Sequence, residues 1–151
     1  MATHGLPAWP WTGSDAEALP APERLLLDAA RLWEAEARAG RPPIPALRLL
    51  LAAEDAPAAL LPLDALLRAA PTQARDFGCE LCPRVQPAEA ALLLACALAQ
   101  RGHRGEALAA LLRWLPLGAA YAAMPAAIHL GCALRRAGVL LRQPLRVARR
   151  S

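Results

Sequence analysis

The chain has 151 residues, 56% of them apolar and 20% charged. This excludes the sparse hydrophobicity of a disordered segment, and the length suffices for one domain that buries about 70% of the unfolded surface. The net charge of +4 divides unevenly: residues 1–100 carry 8 Arg against 12 acids, residues 101–151 carry 9 Arg against one, and Lys and Asn are absent throughout.

Residues 1–22 read as an extended arm, because Pro7, Pro10, Pro20 and Pro22 interrupt any helix. Its Trp9-Pro10-Trp11 is expected to fold back onto the protein's own core, since burying either indole contributes on the order of 2 kcal/mol without any partner. Met1 to Gly13 lacks a basic segment followed by an apolar run, so no secretory signal is expected and the cytoplasm is the expected location. Ala and Leu dominate and Val and Ile are scarce, which favours helices over strands from here on.

Residues 23–70 hold the N-terminal helices. The first runs from Glu23 to Ala39, with Leu26, Ala29, Ala30, Trp33 and Ala37 as its core stripe and Glu34 with Arg38 as a surface pair. A second spans Ile44 to Ala53. A third follows Asp55, read as an N-cap ahead of Pro57, and reaches Ala70 with Pro62 bending or restarting it.

Residues 71–87 read as a linker that contains Cys79-Glu80-Leu81-Cys82. Helices then follow from Ala88 to Arg101 and from Gly105 to Leu115, and a last one from near Pro125 to Ala137, with Val139 to Arg142 as an alternative continuation before Pro144. The interval Trp114 to Leu134 carries no charge and is long enough to cross a bilayer, but Pro116, Pro125, His129, two Gly and many Ala speak against a membrane span. Residues 143–151 form a basic tail.

Residues 88–142 contain a repeat. Leu94-Ala-Cys-Ala-Leu-Ala-Gln-Arg-Gly102 returns 36 positions later as Leu130-Gly-Cys-Ala-Leu-Arg-Arg-Ala-Gly138. A period of this size points to helical hairpins stacked in a repeat-like array within a single compact all-α domain. Leu94, Ala95, Leu98, Gly102 and Glu106-Ala107-Leu108, followed by Leu130, Gly131, Leu134 and Gly138, resemble the tetratricopeptide repeat. Ala91 stands where that family commonly has Trp, the period is longer than usual, and the second copy lacks a clear partner helix. The resemblance implies a concave, partner-binding face made of Leu92, Cys96, Ala99 and Gln100 with Ile128, Cys132, Arg135 and Arg136, the two Arg being its charged readers. The paired basic and Asn residues with which chaperone-type members clamp a peptide carboxylate are missing. The run Glu89 to Ala109 bears a looser similarity to small helical secretion chaperones.

The one cluster with ligand spacing is Cys79-x-x-Cys82. Two thiolates held two residues apart can share a zinc ion, with His103, from the turn between two helices, as the best further ligand. The competing readings are a packed loop and thiol redox chemistry, although no βαβ pattern surrounds the motif. Cys96 and Cys132 recur with the repeat and read as packing residues. No catalytic triad, phosphate-cradling Gly loop or paired catalytic carboxylates stand out, so no catalytic residue is assigned and an enzyme is not expected. The expectation is a non-enzymatic interaction scaffold or adaptor, without a required cofactor, that binds another protein with an acidic segment. The first alternative is a zinc-stabilised or thiol-based regulatory protein using Cys79 and Cys82. The second is nucleic-acid binding through the Arg-rich C-terminus, which has no aromatic residues for base stacking.

Overall fold

In a computed structural model, residues 7–11 and 13–145 are described. Among them the chain is all-α, with six helices and no strand: α1 (Ala21–Arg38), α2 (Pro43–Ala53), α3 (Leu60–Ala69), α4 (Pro87–Gln100), α5 (Arg104–Trp114) and α6 (Leu117–Arg136). α1 packs on α2 and α4. α6, the longest helix, lies against α3, α4 and α5. Its buried face is Ala120, Ala123, Ala126, Ala127, Leu130, Gly131 and Leu134, in which the Ala and Gly allow close approach. By length and composition it could also span a membrane.

The two repeated glycines end their helices in the same way. Gly102 and Gly138 adopt φ of 79° and 80°. The N–H of the next residue donates back across the helix end, His103 to the Leu98 carbonyl at 3.0 Å and Val139 to the Leu134 carbonyl at 2.8 Å. This is the Schellman stop, which needs a left-handed residue that glycine adopts without steric penalty. The repeat therefore encodes two equivalent helix ends. It does not produce two equivalent hairpins. α4 is followed by α5, whereas α6 is followed by an extended strap, residues 139–145, with no second helix among the described residues.

Asp55 ends a helix rather than beginning one. It sits at φ 55°, and the Ala56 N–H donates to the Leu51 carbonyl at 2.8 Å, so Asp55 is the left-handed stop of α2. A 3-10 turn over Pro57–Ala59 then leads into α3, where Pro62 lies in the first turn and its missing N–H breaks no helical bond. Nor does α6 begin at Pro125. It starts eight residues earlier, after Pro116, and Pro125 lies inside it on the exposed side.

The arm and strap close over the core. Trp9 is only 3% exposed within the core cluster. Ala8 and Leu145 exchange backbone hydrogen bonds at 2.7 Å, so arm and strap pair with each other. The Arg142 N–H donates to the Glu23 carboxylate at 2.6 Å, which ties the strap to the start of α1. Residues 71–87 also pack against the core: Phe77 and Val85 belong to it and the Trp114 indole N–H donates to the Ala74 carbonyl at 2.8 Å. The basic residues Arg146, Arg149 and Arg150 lie outside the described residues.

Candidate functional site

The Cys79–Cys82 turn rests on a buried ion pair. Arg31, in the middle of α1, and Glu89, in the first turn of α4, both have side chains with no exposure. They meet two-pronged, Arg31 Nε to Glu89 Oε2 at 2.6 Å and Arg31 Nη2 to Glu89 Oε1 at 3.0 Å. Such a fork-to-fork contact fixes orientation as well as charge. The hydrogen bond and charge of Glu89 hold the guanidinium in its charged form, against the effect of burial.

The other hydrogen bonds of the pair go to the loop that carries the two cysteines. Arg31 Nη1 donates to the Cys82 carbonyl at 2.9 Å and Nη2 to the Arg84 carbonyl at 3.0 Å. Glu89 accepts the Gly78 N–H at 3.1 Å and the Gln86 N–H at 2.7 Å. The Gln86 bond is half of a capping box at the start of α4. Residues 78–86 are thus held at both ends and in the middle by one ion pair. Ser14 and Ala16 of the arm add hydrogen bonds to Val85 and Pro83.

The turn itself brings its thiols together at the surface. Cys79 and Cys82 are reduced, with Sγ atoms 3.4 Å apart, and Cys79 is exposed. The Cys79 thiol lies below its ordinary value. Its hydrogen bond with the Cys82 thiol, which can donate to a Cys79 thiolate, is the main cause, and the backbone N–H groups of Leu81 and Cys82 and the Arg31 charge act in the same direction. Gly78 is required by space: a Cβ there would lie 2.9 Å from Cys82 Cβ and 3.3 Å from Arg31 Nη2. Leu81, at the tip, is 92% exposed.

His103 is not part of this arrangement. It stands at the N-cap position of α5 without a side-chain capping bond, and among the described residues no three His, Cys, Asp or Glu side chains gather as a metal site. The expected triad of Cys79, Cys82 and His103 is therefore not assembled within one chain.

The expected concave face also divides. Leu92 and Cys96 are core residues of α4, and burial pushes the Cys96 thiol up to about 12, so it stays protonated and inert. Gln100 is buried too, and its side chain is fully engaged by the chain itself. Nε2 donates to the Gly131 and Val139 carbonyls, and Oε1 accepts the Leu141 N–H at 2.7 Å. The strap occupies the place where the family resemblance implies a groove. Ile128 is half-buried, whereas Cys132, Arg135 and Arg136 are exposed on α6.

A second charged cluster is structural. Glu34, expected at the surface with Arg38, is buried and also meets Arg75 at 2.8 Å. Arg75 stacks over Trp33, 4.7 Å from the ring centroid, and donates to the Leu67 and Ala70 carbonyls at the end of α3.

Comparison of the chain with protein-family models, curated proteins and solved structures finds no match. Function is therefore argued from the site alone.

Proposed function

We propose that this is a thiol-based regulatory protein whose Cys79–Cys82 pair cycles between dithiol and disulfide by exchange with an external disulfide. The observation that carries the reading is the 3.4 Å separation of two free thiols at the surface, one of them shifted toward thiolate, in a turn held from beneath by a buried ion pair. In the forward step the Cys79 thiolate attacks one sulfur of the external disulfide, forming a mixed disulfide and releasing one thiolate. Cys82, once deprotonated, attacks the Cys79 sulfur and releases the second. The protein loses two electrons and two protons, and the external disulfide becomes two thiols.

The test is equilibration with mixtures of reduced and oxidised glutathione, acid trapping and peptide mapping. A Cys79–Cys82 disulfide is the expected product, and a pair that stays reduced across the whole range would sink the proposal. The pH dependence of alkylation checks the activation. Cys79 reacts with a midpoint below the ordinary thiol value of about 8.5, and in Cys82→Ala the midpoint moves up toward it because the donating S–H is gone. By linkage, the favoured thiolate supports folding above the unfolded-state value, and that support is lost as pH falls through the lower folded-state value.

A second reading, an interaction scaffold, draws on the exposed face of α6, which carries Leu117, Tyr121, Cys132, Arg135 and Arg136. Under it, Arg135→Glu combined with Arg136→Glu abolishes association with an acidic polypeptide and leaves helical circular dichroism unchanged. Undiminished association would remove that face from consideration.

A further inference from the structure

One chain offers two thiol ligands at the Cys79–Cys82 turn, and zinc takes four N or S ligands in a tetrahedron. We propose that this turn is half of a zinc site completed by the same turn of a second copy, giving a two-fold dimer bridged by one zinc ion with four cysteine ligands. The inference rests on the reading of Cys79 and Cys82 as the protein's working thiols. It adds the metal that keeps them reduced and the partner that oxidation would release.

The geometry is close to that of a half-site. Two thiolates on one tetrahedral zinc, with bonds of about 2.3 Å, lie roughly 3.8 Å apart, and the two Sγ atoms start at 3.4 Å. The turn needs to open by only a few tenths of an ångström. The Arg31 and Glu89 bonds to Gly78, Cys82, Arg84 and Gln86 hold its backbone in place, so little ordering is left to pay on binding. The guanidinium beneath the turn offsets part of the negative charge that four thiolates bring to the metal.

The surroundings favour a second copy over any other source of the missing ligands. Leu81, between the two cysteines in sequence, projects almost wholly into solvent. It lines one side of a cleft of about 450 Å³, together with Leu32 and Leu50 and with Arg24, Asp28, Arg31 and Glu80. A projecting apolar side chain next to an apolar cleft is self-complementary. Under a two-fold axis through the metal, Leu81 of each copy enters the cleft of the other, and both contacts form at once.

The test uses the full chain, reduced and stripped with a chelator, then titrated with zinc chloride while mass is followed by native mass spectrometry and light scattering. The expected result is a dimer carrying one zinc per two chains. Cobalt(II) in place of zinc should give the intense visible bands of a tetrahedral thiolate site. Cys79→Ser and Cys82→Ser should stay monomeric and metal-free. Leu81→Asp, at a position that supports nothing in the fold, should weaken the dimer at least tenfold. One zinc per chain in a monomer, zinc held together with added glutathione, or no zinc uptake would each overturn the inference. Disulfide formation by glutathione in the stripped protein is read separately. If the disulfide forms and the dimer does not, the zinc bridge alone is wrong, and if neither forms, the thiol reading falls with it.

Discussion

Replacing Glu89 with Ala is expected to lower the unfolding free energy by about 3–5 kcal/mol, the range for removing one partner of a buried ion pair. The reason is what remains behind. The Arg31 side chain has no exposure, and without Glu89 its charge is left in the interior with only the carbonyls of Cys82 and Arg84 as acceptors. The N–H groups of Gly78 and Gln86 lose their acceptor as well. For a domain of this length each kcal/mol moves the melting temperature by roughly 2–4 °C, so a fall on the order of 10 °C follows. Urea unfolding followed by circular dichroism measures it, and a loss below about 1 kcal/mol would mean that the pair contributes little net stability. Replacing both partners with Leu should be milder than Glu89→Ala, since no charge is then stranded. That double variant separates stability from the site. The loop over residues 78–86 loses its central anchor, so the thiol pair should lose its fixed spacing and its alkylation midpoint should rise even where the fold survives.

The helices were legible in the sequence where local chemistry alone decides them. The stop at Gly102 and its copy at Gly138 are backbone events, complete within six residues, and they are recorded in the letters. Of the expected stripe, Leu26, Ala29, Ala30 and Trp33 are buried and Ala37 is half-buried, for the same reason of simple periodicity. Pro125 misleads because an interior proline and an N-terminal one look alike without tertiary context. Asp55 misleads because Asp serves both as an N-cap and, less often, as a left-handed stop. The support of the candidate site was less legible still. Cys79 and Cys82 announce themselves by spacing, but Arg31 reads as one more surface charge on α1, and its partner lies 58 residues away. A faint signal exists in Gln86-x-x-Glu89 ahead of an apolar run, the pattern of a capping box, which places Glu89 at a helix start without saying what else it holds. The expected concave face divides for the opposite reason. Periodicity places Leu92, Cys96 and Gln100 on one side of a helix, but only the packed chain reveals that α6 and the strap already cover it.

Gly131 offers the sharpest test of that covering. A Cβ built there would lie 2.8 Å from Gln100 Cα and 2.9 Å from Gln100 N, atoms of the α4 backbone that cannot rotate aside. Gly131→Ala therefore forces α4 and α6 apart, at a cost of about 1–3 kcal/mol from overpacking alone. The separation also stretches the Gln100 bonds to Gly131 and Val139, which join the two helices to the strap. Helix propensity argues in the other direction, since Ala is better than Gly inside a helix by about 1 kcal/mol. Gly105 and Gly118 isolate that term, because both are helical and a Cβ at either meets nothing within 4 Å. Gly105→Ala and Gly118→Ala should then raise the melting temperature while Gly131→Ala lowers it. Three stabilisations of similar size would show that α4 and α6 are not in backbone contact, and the sealed groove over Gln100 would have to be abandoned with that contact.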